Sequence, residues 1–188
     1  MRVPGSRLCR FLLRLLGWQV VFVAPPSPKT VIIGYPHTSN WDFPVTMLWR
    51  FATGFPMQWV AKKEMFENPL GSLFQRWGGI PLDRSKPDGF IEQVCAEFAR
   101  RESFHLAIAP EGTRKRTDHW KTGFHRIAVA AGVPLGLAFL DYGRKQLGIA
   151  EWIVLSGDRE ADLERIRAYY ADKRGYRPER AGDIRFKD

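Results

Sequence analysis

The sequence predicts a single α/β domain with a largely parallel central sheet flanked by helices, and an apolar helix at its amino terminus. Three observations point there. Short apolar runs such as Thr30-Val31-Ile32-Ile33-Gly34 alternate with segments whose apolar residues recur at helical spacing. The 188 residues are 45% hydrophobic and 26% charged, the composition of one folded domain with a sizeable core. Polar clusters at 37–42, 83–84 and 110–114 each follow an apolar or extended run. That is where parallel sheets hold ligands, beyond the carboxyl ends of their strands.

Taken in order, residues 8–24 are apolar and aromatic but interrupted by Arg10, Arg14 and Gln19. A membrane span needs about 20 apolar residues, and arginines inside the run fit a signal peptide poorly. The 1–24 segment therefore reads as an interfacial helix, with packing on the domain's own core as the alternative. Pro25-Pro26-Ser27-Pro28 separates it from the main domain, residues 29–188. A buried strand at 30–35 leads into a turn at His37, and a helix over 41–52 takes Asn40 as N-cap. Trp59-Val60-Ala61 reads as a strand, 65–76 as a helix and 78–82 as an extended run. Helix 88–101 carries Phe90, Ile91, Val94, Cys95 and Phe98 on one face. A strand at 105–109 is followed by a helix at 121–131 that stops at Gly132, with Pro134 beyond. Strands at 134–140 and 149–155 precede a last helix at 159–172, capped by Asp158. The tail from Lys173 is polar and basic.

The formal charge of +9, from 29 Lys and Arg against 20 Asp and Glu, calls for an anionic partner. A phosphate-bearing substrate, an acidic lipid surface and nucleic acid all qualify on charge. The basic residues are dispersed, however, and many aromatics fall on apolar helical faces, so nucleic-acid binding is not expected. Cys9 and Cys95 make no disulfide framework. No Gly-x-Ser-x-Gly elbow, Gly-x-x-x-x-Gly-Lys loop or Cys-x-x-Cys pair occurs. His119 and His125 lack metal-site spacing, and His105 lies in an apolar strand, as a core histidine would.

His37 and Asp42 form the first chemical cluster. On one helix, five positions amount to about 500°, which points the side chains apart. They meet only if His37 lies in the turn and Asp42 in the first helical turn, where the dipole favours a carboxylate. A carboxylate on one imidazole nitrogen leaves the other as a base. The same spacing also suits a structural pair, with Asp42 capping the helix. Glu111-Gly112-Thr113-Arg114 is the second cluster. Its glycine permits close backbone approach and its arginine can hold a phosphate, with Lys115, Arg116 and Lys121 adding positive field. A solvated loop with Glu111 paired to Arg114 is the plainer reading. Arg84 is a third candidate, as phosphate ligand or as partner of Asp83 in an exposed turn.

These blocks together resemble the glycerolipid acyltransferases, the lysophosphatidic acid acyltransferase-like (PlsC-like) family. His37-x4-Asp42 resembles that family's first motif, Gly79-Ile80-Pro81-Leu82-Asp83-Arg84 its second, Glu111-Gly112-Thr113-Arg114 its third and Gly132-Val133-Pro134-Leu135 its fourth. They occur in the family's order over roughly residues 31–140. Pro81 and Leu82 depart from the aromatic-rich second block of many members.

The resemblance implies transfer of a fatty acyl group from acyl-CoA or acyl-carrier protein to the hydroxyl of a lysophospholipid, such as 1-acyl-glycerol-3-phosphate. It implies His37 as general base oriented by Asp42. Arg84, Glu111, Gly112, Thr113 and Arg114 would bind substrate, and Gly112 with neighbouring amides would stabilise the oxyanion. It implies no metal and no cofactor beyond the thioester co-substrate. Peripheral or monotopic attachment to the cytoplasmic face of an anionic membrane follows from the same likeness. An amino-lipid or glycolipid acceptor fits the motifs as well. A basic membrane-binding module without activity is the remaining alternative.

Overall fold

The computed structural model describes residues 5–82 and 87–187. Seven strands form one sheet: β1 (Gln19–Phe22), β2 (Lys29–Tyr35), β3 (Met57–Lys62), β4 (Gly79–Leu82), β5 (Phe104–Ile108), β6 (Leu135–Asp141) and β7 (Gln146–Ile153). Their spatial order is β1-β7-β6-β2-β5-β3-β4. All neighbouring pairs are parallel except β6 and β7, which form an antiparallel hairpin. The largely parallel sheet read from the sequence is the observed one.

The helices are α1 (Arg7–Leu15), α2 (Asp42–Thr53), α3 (Gly71–Arg76), α4 (Pro87–Arg100), α5 (Gly123–Ala131) and α6 (Arg159–Tyr170). Alternation along the strands splits the core in two. Val31, Ile33, Leu106, Leu135 and Leu137 pack with Phe98, Phe124, Ile127 and Ile166 of α4, α5 and α6. Ile32, Met57, Trp59 and Leu140 pack with Leu13, Val45 and Met47 of α1 and α2. The chain leaves β2 through α2 toward β3, and leaves β5 through α5 toward β6, on the other side of β2. The carboxyl end of β2 is therefore the point where the connections diverge, and a crevice opens there.

Three sequence expectations need correction. The 1–24 segment is not one helix, because α1 stops at Leu15, Gly17 takes φ 79° and residues 19–22 become strand β1. Val20, Val21 and Phe22 suit a strand, and the open edge of β7 supplies a partner. Helix 65–76 is broken into a short 3-10 turn at Lys63–Phe66 and α3. Pro69 restricts Asn68 to non-helical backbone, and Asn68 closes the gap by accepting from the Leu70 amide. Asn40 does not cap α2, since Trp41 takes that position without a capping bond. Instead the Asp42 carboxylate reaches back to the amides of Thr38 and Ser39. The basic tail, of which the sequence showed only the charge, packs on the domain: Phe186 is buried and bridges to Trp120. The ends of α5 at Gly132, φ 61°, and of α6 at Asp158 are as read from sequence.

α1 docks on α2. The Ser6 amide donates to Phe51 O at 2.8 Å, and Leu13 is buried between the helices. Gly5 permits this, as a Cβ there would stand 2.1 Å from Ala52 O. The opposite side of α1 carries Leu8, Phe11, Leu15 and Leu16 outward, with Phe11 61% and Leu15 70% exposed. Among the described residues, no helix is long and apolar enough to cross a membrane.

Candidate active site

β2 delivers the chain to His37, and the turn before α2 folds it back so that His37 Nδ1 lies 3.1 Å from Asp42 Oδ2. His37 is 23% exposed and Asp42 only 1%. A buried carboxylate must be satisfied on all sides. Asp42 Oδ2 also accepts from the Thr38 and Ser39 amides, each at 2.9 Å. Its Oδ1 accepts from the Tyr142 hydroxyl at 2.9 Å. Tyr142 follows β6, which lies parallel beside β2, so the two strand ends come together. It is held between Trp18 and Tyr176, at 4.9 and 5.1 Å between ring centroids. Burial and the Asp42 charge push the Tyr142 hydroxyl well above its ordinary range, which keeps it a neutral donor.

β5 delivers Glu111 to the same place, as the neighbour of β2 on its other side. Glu111 is 2% exposed. Its Oε2 accepts from the His37 amide at 2.7 Å and its Oε1 from the Gly182 amide at 3.2 Å. Burial pushes this carboxyl up to about 7, against the two amides that lower it, and the nearby Asp42 charge adds to the rise. Expected to touch substrate, Glu111 instead points inward and clamps the His37 turn to residues near the end of the chain. Tyr35 reinforces the clamp, its hydroxyl donating to Gly182 O at 3.0 Å. Arg177 N donates to Thr38 Oγ1 at 3.2 Å, so the segment also grips the residue after His37.

A cavity of about 1050 Å³ opens at these strand ends. His37, Asp42, Gly112, Thr113 and Arg114 all line it, and Glu111 does not. Gly112 turns with φ 62°, and its amide donates to Ala109 O at 3.0 Å, which removes that amide from an oxyanion role. Thr113 Oγ1 accepts from Lys115 N at 3.2 Å. Arg114 Nε is buried and has no hydrogen-bond partner among the described residues. Lys62, Lys121 and Arg126 add positive charge to the lining, and the start of α5 at Thr122 and Gly123 faces the same space. A helix amino terminus and an arginine together make an anion site. The Arg84 expectation lies outside the described residues. Among the described residues, no group of three or more His, Cys, Asp or Glu is arranged to hold a metal.

The remaining histidines sit elsewhere. His105 is buried, with Nδ1 2.9 Å from Thr30 Oγ1, and burial lowers it to about 4. His125 is buried against Asp162 at 2.8 Å, tying α5 to α6. His119 pairs with Asp118 at the cavity rim. Of the aromatics in and beside α2, Phe43 lines the cavity, Trp49 is buried and Trp41 is exposed. Sequence reasoning missed Tyr142, Gly182 and Arg126. Tyr142 alone had a legible signal, as a polar residue just past an apolar strand.

No curated protein matched the chain. The fold is similar to the crystal structure of the 1-acyl-sn-glycerophosphate (LPA) acyltransferase PlsC from Thermotoga maritima, with a TM-score of 0.56 and 18% identity. The match covers 86% of this chain and 73% of that one, a likeness of fold. The family model described as Acyltransferase matches residues 24–136, the stretch that holds His37, Asp42 and the Glu111–Arg114 loop. The chain belongs to the acyltransferase family.

Proposed function

We propose that the protein moves a fatty acyl group from a thioester to the free hydroxyl of a lysophospholipid. One observation carries the reading: His37 Nδ1 is held on a buried, fully bonded Asp42, beside a cavity with both apolar and cationic walls. With Nδ1 engaged, Nε2 is the nitrogen available as base. The acceptor hydroxyl gives its proton to His37 Nε2 as its oxygen attacks the thioester carbonyl. The tetrahedral intermediate then collapses, the C–S bond breaks and the thiolate takes that proton back. Asp42 stabilises the imidazolium between the two steps. General acid–base help of this kind gives about 10²–10⁴-fold. Arg114 holds the acceptor phosphate, with Lys121 and the α5 amino terminus adding field. Glu111 acts as a positioning residue for His37 rather than as a substrate ligand.

We further propose that α1 lies on an anionic membrane, through Leu8, Phe11, Leu15 and Leu16 with Arg7 and Arg14 beside them. This attachment is peripheral and places a lipid acceptor near the cavity.

The test is a thiol-release assay with acyl-CoA and acyl-carrier-protein donors across a panel of lysophospholipids, an amino-lipid and a glycolipid. Turnover that depends on a lysophospholipid, and that His37→Ala abolishes in a folded protein, is the expected result. Near-full turnover by the variant overturns the base assignment, and turnover only with an uncharged acceptor overturns the phosphate role of Arg114.

A further inference from the structure

The cavity is continuous across the end of the sheet, so that it has one arm on each face. On the α2 face its walls are Gly34, Ala107 and Ala138, small residues that leave room beneath Phe43 and Met47. This arm is deep. Met57, Trp59 and Ala61, the alternate residues of β3 on this face, all border the cavity. At about 3.3 Å per residue that run spans roughly 13 Å. On the other face the walls are Val60 and Ile108 of the sheet, Phe90 and Ile91 of α4, and Phe124 and Ile127 of α5. The volume of about 1050 Å³ stands at the top of the range for a single small ligand, about 300–1,000 Å³.

The arms differ in charge. The α2 arm is apolar below His37 and Asp42. The α4–α5 arm is apolar too, but Arg114, Lys121 and Arg126 border it. Arg114 contributes a buried Nε without a partner among the described residues, and such a group is costly until something accepts from it. An anion with an apolar tail satisfies both features of this arm at once. The chain of a thioester donor carries no charge along its length and matches the α2 arm.

We propose that the two arms hold the two acyl chains of one reaction: the α2 arm takes the chain being transferred, and the α4–α5 arm takes the chain the acceptor already carries. The inference rests on the acyl-transfer reading and sharpens it. The acceptor is a single-chain lipid with an anionic head, and a chainless glycerol phosphate is a poor substitute.

The wild-type protein is assayed by thiol release against glycerol 3-phosphate and lysophosphatidates of rising chain length, kept below micelle formation, with one donor. A donor chain-length series with one acceptor runs alongside. Each buried methylene is worth about 0.8 kcal/mol, so kcat/KM rises about fourfold per acceptor methylene until the arm is full. Ile91→Trp, a change on a half-buried face of α4, narrows one arm and flattens the acceptor series while the donor series keeps its slope. Ala107→Leu narrows the other arm and does the reverse. Glycerol 3-phosphate used as well as the best lysophosphatidate overturns the inference, as does an Ile91→Trp effect on the donor series alone. Turnover without any acceptor-chain dependence sinks the two-arm assignment and leaves acyl transfer standing. Absence of thiol release with every acceptor sinks acyl transfer itself and the inference with it.

Discussion

Glu111 offers a measurement on the frame of the site that is independent of substrate. Its carboxyl is pushed from 4.5 to about 7 by burial. The folded protein therefore binds this proton more tightly than the unfolded chain does, and unfolding releases it between those two values. Stability from this group is fully present below pH 4.5 and is lost as pH rises toward 7. At about 1.4 kcal/mol per pH unit, the loss is about 3 kcal/mol. Glu111→Gln is the perturbation. The amide has the shape of the protonated acid and cannot ionise, so it removes the pH-dependent part while keeping an acceptor for one of the two backbone amides. Urea unfolding of both proteins from about pH 5 to about pH 8 gives the difference in unfolding free energy. The wild type should lose about 3 kcal/mol relative to the variant across that window. A difference that stays constant with pH refutes the reasoning, because it means that Glu111 is ionised as easily in the folded protein as in the unfolded chain.

Three further outcomes follow from the same geometry. His105, lowered from 6.5 to about 4 by burial, contributes stability that is present above pH 6.5 and lost as pH falls toward 4. His105→Gln should remove about 3 kcal/mol of acid sensitivity, and unfolding curves that shift equally at all pH values count against it. Tyr142→Phe deletes the donor to Asp42 Oδ1. A hydrogen bond to a charged group is worth about 1.5–3 kcal/mol, so kcat should fall about tenfold or more with KM for the thioester unchanged. A raised KM with normal kcat would assign Tyr142 to binding. Phe11→Asp with Leu15→Asp should cut binding to anionic vesicles about tenfold or more per residue, from about 1.5–3 kcal/mol for each large side chain. Since both residues point outward, the melting temperature should hold, and unaltered vesicle binding rejects α1 as the contact.

Local signals carried the legible part of the molecule. The approach of His37 to Asp42 followed from a strand, a turn and a helix start within thirteen residues, Thr30 to Asp42. Gly132 and Asp158 announced helix ends by backbone chemistry that acts within one turn. Long-range closure stayed hidden. Tyr142 is a hundred positions from the carboxylate it serves, and only the pairing of β6 beside β2 joins them. Glu111 reads as an exposed loop acid until burial turns it toward two amides. Residues 19–22 read as part of a helix in the sequence because their strand partner, β7, lies more than a hundred residues away. The tail from Lys173 looked merely basic, since its anchors are sparse: Phe186, Tyr176 and the backbone of Gly182.

That tail sets the order in which the site is completed. His37 and Asp42 leave the ribosome before Glu111. The partner of its second oxygen, Gly182, follows 71 residues after Glu111. Gly175 sits so close to the turn that a Cβ would stand 2.6 Å from Thr38 Oγ1. Domains fold largely as they are made, from the amino-terminal side. A nascent chain can thus hold every motif residue and still lack the brace on the histidine turn. The brace on this turn is complete only once translation has run through to Gly182, and a product cut after Asp172 would carry all four motifs with an unbraced His37 turn.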